Sequence, residues 1–287
     1  MSTMNLEGRR IIVNNDFDGC LSSKIMTTLY NGKVVGFSNS KDKLWFVDGE
    51  TFNGDELFID MFTPYYESID QHIPPMDFEK SWSPNKERGI YAFGAYTSKF
   101  PFSTSLWLLA IAARDNKDIS LVLPKTLTLG NNGIFRECDI WMRSDDILNN
   151  CYKYTKNCEA WRDWLIEFSG NHKDIIELFN FMFSQDRSAV ETWKFSTDEY
   201  FRLRYGFSNE EIPDITTEQA KRFMGRFGIH FEKITEVITL ENVRVNIATE
   251  EDFNNVLHIN ENKLFSFAFI YSPARRDKNN FSYSIFL

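Results

Sequence analysis

An apolar triplet, Ile11-Ile-Val13, runs through two asparagines into Asp16-Phe-Asp18-Gly19, and then into the apolar-rich run Cys20 to Leu29. That order predicts a buried strand, a tight turn and the start of a helix. In open α/β sheets a turn of this kind lies at the carboxyl end of a strand, where ligands bind. Two carboxylates at i and i+2 repel each other unless a cation or a shared proton compensates them. The pattern therefore points to a divalent metal or to phosphoryl chemistry. The competing reading is an acidic surface turn in which Gly19 supplies a positive φ.

The chain around this stretch has 287 residues, enough for one large or two ordinary domains with an adequate core. Hydrophobic residues make up 43% and charged residues 25%, a balance that excludes disorder. A net charge of −9 argues against a broad basic track for long nucleic acid. It leaves room for a short or end-bound substrate, because a metal centre supplies local positive charge. The cysteines, Cys20, Cys138, Cys151 and Cys158, show no zinc-site spacing and predict no disulfide framework. Met1 to Arg10 is polar and no apolar run approaches a membrane span, so the expected compartment is the cytoplasm, with no membrane partner.

The segments after the first turn alternate short apolar runs with turns. A helix is expected to about Tyr30, then strands at Val34–Phe37, Trp45–Val47 and Leu57–Asp60, the last ending in a carboxylate. The polar stretch Met76–Gly94 reads as a long loop. Ser103 or Thr104 caps an apolar helix, Leu106–Ala113. An open helix N-terminus there can hold a phosphate oxygen, or the residues can simply cap a core helix. From Glu159 to Phe227 the period is helical, with Trp161, Trp164, Leu165 and Phe168 on one face. The tail alternates like strands at 243–248, 264–271 and 280–286. Arg275 and Arg276, in a turn between tail strands, can clamp a phosphate or be a solvated hairpin tip. The expected architecture is α/β: a largely parallel N-terminal sheet domain (1–150), a helical connector (151–228) and a small α+β C-terminal domain (229–287).

Asp16-Phe-Asp18-Gly19 followed by Ser22 resembles the first motif of the DHH phosphoesterases, the group of RecJ-type exonucleases, oligoribonucleases and exopolyphosphatases. Asp60 closing its strand, and Asp70-Gln71-His72, resemble the second and third motifs of that family. The resemblance covers about the first 125 residues, and the tail loosely. It implies a Mn²⁺- or Mg²⁺-dependent phosphoesterase in which Asp16, Asp18 and Asp60 are metal ligands. Asp70 and His72 would complete or support the centre. A fourth family motif places a metal-binding Asp after a helix; Asp118 is the first choice here and Asp115 the second. The chain departs from the pattern at Gln71, which replaces a histidine ligand, and at Asn14 and Asn15, where many members carry another His or Asp. Asp60 and Asp70 are also closer in sequence than the family's motifs, which weakens one of two metal positions.

The same Asp-x-Asp-Gly also resembles the first motif of haloacid dehalogenase-type phosphatases, with Asp16 as nucleophile, although that family has Thr where this chain has Cys20. A catalytically inactive DHH-like binding protein, and an interaction module without phosphate chemistry, are further alternatives. The expected partner is a short oligonucleotide or a phosphorylated small molecule, and homodimerisation is left open.

Overall fold

A computed structural model describes residues 4–129, 151–152, 157–207, 212–247, 249–259, 263–270 and 279–287. The first apolar triplet forms strand β1 (Arg10–Asn14), and Ile11, Ile12 and Val13 are completely buried. Helix α1 (Phe17–Leu29) follows and returns the chain to β2 (Lys33–Ser38), parallel to β1. Asp16 starts this helix by accepting the Gly19 amide, so both Asp18 and Gly19 lie in its first turn, earlier than the expected start. Gly19 has no positive φ. Its requirement is space: a Cβ there would lie 2.1 Å from the Asn14 carbonyl oxygen. The helix can pack this closely on the strand end only without a side chain.

After β2 the chain turns into β3 (Lys43–Val47), antiparallel to β2, and then crosses to the other side of β1. There β4 (Leu57–Ile59), β5 (Ser68–Ile69) and β6 (Ser81–Trp82) add in parallel. The 76–94 segment, expected as a long loop, contains β6, helix α2 (Pro84–Glu87) and the start of α3 (Ala92–Ala95). Asn85 organises it: its side chain donates to the Gln71 carbonyl (2.7 Å) and accepts from the Phe100 amide (2.7 Å). Helix α4 (Thr104–Arg114) is apolar all round and buried along Thr104–Ala113, as befits a helix packed between α1 and the next helical layer.

That layer comprises α5 (Cys158–Phe168), α6 (Lys173–Phe183), α7 (Arg187–Tyr205) and α8 (Glu218–Met224). The stretch expected as a connector shares one core with the sheet: the Phe17 ring meets Phe201 at 4.5 Å and Phe223 at 4.8 Å. Asn15 ties the same layer to the end of β1, accepting from the Ile212 amide through its carbonyl (2.8 Å) and donating to the Ile212 carbonyl (2.6 Å). Cys151 and Cys158 are joined as a disulfide, with Cα atoms 5.4 Å apart, and among the described residues no wider disulfide framework accompanies it.

The tail supplies β7 (Ile234–Ile247), α9 (Glu250–Ile259), β8 (Leu264–Ile270) and β9 (Asn279–Phe286). Strand β7 pairs antiparallel with β3, so the tail strands extend the N-terminal sheet. The result is an α/β fold on one mixed nine-stranded sheet, ordered β6-β5-β4-β1-β2-β3-β7-β9-β8. The tail also has an apolar cluster of its own, Ile247, Phe253, Phe267 and Phe281, into which Phe62 inserts from the segment after β4. Among the described residues no helix is long and apolar enough to cross a membrane.

Candidate metal centre

Strand order places the site. The chain leaves β1 toward β2 on one side and later returns to β4 on the other, so the connections reverse between β1 and β4. Outside the carboxyl ends of strands at such a reversal, the diverging connections leave a crevice. Asn14 and Asp16 stand at the end of β1, Asp60 at the end of β4, and Asp70 and His72 just beyond β5. Asp60 adopts a left-handed backbone, φ 61°, a conformation that aspartate reaches more readily than most side chains and that turns the chain sharply at the end of β4.

Both carboxylates of the Asp16-Phe-Asp18 pair have partners inside the chain. Asp16 Oδ1 accepts from the Gly19 amide (2.8 Å) and Oδ2 from Asn14 Nδ2 (2.6 Å). Burial, and then the charge of Asp18, raise the Asp16 pKa to about 6, against the opposing hydrogen bonds with Gly19 and Asp60. Asp18 is deeper. Its two oxygens accept from the Thr104 and Ser105 amides, both at 2.8 Å, so this carboxylate caps the N-terminus of α4. Burial raises its pKa, and the Ser105 and Thr104 amides work against that rise. The α4 amides expected to hold a phosphate oxygen are thus occupied by an anion of the chain itself. Ser103 caps the same helix through the Leu106 amide (3.1 Å), and Thr104 Oγ1 donates to Asp60 Oδ1 (2.9 Å).

The residues that converge as potential ligands are Asp60, Asp70 and His72, whose ligand atoms all lie within 4.8 Å of one another. Asp70 is completely buried. Its Oδ1 accepts from His72 Nδ1 at 2.7 Å, which leaves Nε2 of the ring as an acceptor facing Gln71 Nε2 (3.2 Å). Asp70 Oδ2 is buried and has no hydrogen-bond partner. An orphaned carboxylate oxygen at such depth is costly unless a cation or an ordered water meets it. Two carboxylates and an imidazole are a donor set that fits Mn²⁺ or Mg²⁺ in its oxygen ligands and the more nitrogen-tolerant ions in its histidine. Gln71 is fixed through its backbone: its N–H donates to Thr104 Oγ1 (3.1 Å) and its main-chain carbonyl accepts from Asn85 Nδ2 (2.7 Å).

Asp118 stands apart from this group. It caps a single 3₁₀ turn (Ile119–Leu121) by accepting from the Ser120 amide (3.2 Å) and hydroxyl (2.6 Å), in the exposed segment past the far end of α4. Eleven residues of helix separate that end from Thr104, roughly 16 Å at the usual rise. Asp115 lies at the same end and accepts from the Tyr30 hydroxyl (3.0 Å). Arg275 and Arg276 lie outside the described residues. Ser22, the last residue of the first motif, is buried in α1 with its hydroxyl unpartnered.

A cleft of about 230 Å³ opens beside the cluster. Asp16, Asp60 and His72 line one part of it, and Ser40, Lys41, Phe62, Ser266 and Phe267 line the rest. Sequence reasoning missed Lys41 and Ser266. Lys41 had a usable signal, a polar turn directly after the β2 strand; Ser266 had only its position as a serine inside an apolar strand. No protein-family model, no curated protein and no solved structure matches this chain.

Proposed function

We propose that this chain is a divalent-metal-dependent hydrolase of small phosphate esters, with Asp60, Asp70 and His72 as metal ligands and Asp16 beside them. The observation that carries the reading is the buried, unpartnered Asp70 Oδ2 within a three-ligand cluster at the switch point of the sheet. When bound there, a divalent cation would lower the pKa of a water molecule and offset charge on phosphoryl oxygens. The chain's own residues do the rest. Asp70 orients the His72 ring through Nδ1. Asn14 holds Asp16 at the cleft wall, and Asp16, with its pKa near 6, is suited to exchange a proton close to neutral pH. Asp18 anchors α4, which in turn presents Thr104 to Asp60. The cleft volume lies below the usual range for drug-sized ligands and favours a small phosphorylated compound over an oligonucleotide.

The dehalogenase-type alternative has less support. Both Asp16 oxygens already accept hydrogen bonds, and Asp18, the acid/base of that mechanism, has its oxygens on the α4 amides. The test is hydrolysis of p-nitrophenyl phosphate and bis-p-nitrophenyl phosphate with Mn²⁺ or Mg²⁺. The expected result is metal-dependent turnover that Asp70→Asn lowers at least a hundredfold. Failure of the intact chain to cleave either ester with either metal removes the catalytic reading and leaves a binding protein.

A further inference from the structure

The cleft has a second half that the metal cluster leaves unused. It is formed by the turn after β2 and by β8, and those two elements meet through one residue. Ser284 of β9 donates its hydroxyl to the Lys41 carbonyl and pairs in register with Ser266 of β8. Lys41 and Ser266, brought together by Ser284 behind them, both line the same cleft. Ser266 is 2% exposed, and its hydroxyl has no hydrogen-bond partner. The turn that carries Lys41 is held in shape before any ligand arrives: Asn39 Oδ1 accepts the amides of Lys41 (3.1 Å), Asp42 (3.0 Å) and Lys43 (3.1 Å). Ser40 completes it with a left-handed backbone, φ 55°, its amide on Ser38 Oγ (2.9 Å) and its hydroxyl on Asn14 Oδ1 (3.2 Å). The last bond links the turn to the residue that holds Asp16.

Charge gives this wall a purpose. Asp16, Asp60 and Asp70 gather three carboxylates at this end of the cleft, and a phosphate brings further anionic oxygens beside them. Among the described residues that line the cleft, Lys41 is the one lysine or arginine. Between the two sides Phe62 and Phe267 pack at 4.4 Å and give the cleft an apolar wall.

We infer that Lys41 and Ser266 form a phosphate-positioning subsite facing the metal cluster, and that the ligand is a small phosphate monoester whose apolar portion lies against Phe62 and Phe267. This rests on the metal-dependent reading of the cleft and adds to it the residues that select the substrate. Lys41 brings a cation to the cleft wall, the Ser266 hydroxyl donates to a phosphoryl oxygen, and the preformed 39–42 turn keeps the ordering cost of binding low.

The experiment measures binding of inorganic phosphate and of phenyl phosphate by calorimetry, with Mn²⁺ saturating, to the intact chain and to Lys41→Ala, Lys41→Arg and Ser266→Ala. Lys41 is exposed and Ser266→Ala removes one unpartnered oxygen, so the fold is expected to persist, and a circular-dichroism melt of each variant checks it. Phosphate should bind Lys41→Ala about tenfold more weakly or worse, Lys41→Arg should recover most of the loss, and Ser266→Ala should weaken binding several-fold. Mn²⁺ affinity should stay within about twofold in all three. Phenyl phosphate should bind several-fold tighter than phosphate. Undiminished phosphate affinity in folded Lys41→Ala that still binds Mn²⁺ overturns the subsite alone, and equal affinity for the two anions overturns the apolar seat. Absence of Mn²⁺ binding to the intact chain overturns the reading beneath it, and the subsite falls with it.

Discussion

Gly19→Ala is the substitution for which the structure makes the sharpest demand. The added Cβ would stand 2.1 Å from the Asn14 carbonyl oxygen, 2.8 Å from its carbonyl carbon and 3.0 Å from its nitrogen, all of them main-chain atoms of the strand end. An ordinary carbon–oxygen contact lies at about 3.3–3.6 Å, so α1 and β1 must separate by more than 1 Å at this point. In an open helix the same change would stabilise by about 1 kcal/mol through propensity. Here overpacking against backbone costs about 1–3 kcal/mol or more, and the helix that must move also carries Asp16 and Asp18. The predicted net effect is a loss of about 2 kcal/mol, read as a shift in urea midpoint at unchanged slope. Weakened Mn²⁺ binding should accompany it, because Asn14 and Asp16 are displaced from Asp60. A variant as stable as the parent, or more so, would show that Gly19 is an ordinary helical glycine and that the strand–helix packing described above is wrong.

Two further outcomes separate roles that the sequence alone merges. Asp18→Ala should leave two buried α4 amides unpartnered and destabilise the fold by about 2–4 kcal/mol, while Asp60→Asn should weaken Mn²⁺ binding at least tenfold with a smaller change in stability; denaturant titration and calorimetry on both variants check this, and the reverse pattern would restore Asp18 as a primary ligand. Because the native pKa of Asp16 lies above its ordinary value of 3.8, its protonated form is favoured by folding, so its contribution is fully present below about pH 4 and is lost as pH rises through about 6. The metal-free protein should therefore melt at a lower temperature at pH 7.5 than at pH 5, by a contribution on the order of 1 kcal/mol; Asp16→Asn should flatten the dependence, and a metal-free parent whose stability rises across that window would contradict the assignment.

The strand–turn–helix around Asp16 was legible because three features agree there: a fully apolar triplet, the Asp-x-Asp-Gly turn and the apolar-rich run from Cys20 to Leu29. The physical reason for the glycine was not legible, since a close approach to Asn14 is a tertiary fact that no local rule encodes. Asp18 illustrates the larger gap. Its spacing from Asp16 matches a metal motif, yet its carboxylate finds the amides of Thr104 and Ser105, 86 and 87 residues away in sequence. The same hidden partner removes the helix terminus expected to hold phosphate. Asp70 and His72 were found through the resemblance of Asp70-Gln71-His72 to a family motif, whereas Lys41 and Ser266 are joined through Ser284, 243 residues from Lys41. Alternation in the tail revealed its strands but could not reveal their neighbour: the edge of β3 accepts β7, so segments read as a separate unit extend the same sheet.

The central claim is that a divalent cation sits among Asp60, Asp70 and His72, drawn by the unpartnered Asp70 oxygen. Anomalous diffraction from a crystal soaked in Mn²⁺, recorded near the manganese edge, tests it directly. The account predicts a dominant peak within coordination distance of Asp70 Oδ2, a carboxylate oxygen of Asp60 and a ring nitrogen of His72, with none at Asp118. A fully soaked crystal without density at that triad, or with its manganese bound elsewhere, would contradict it.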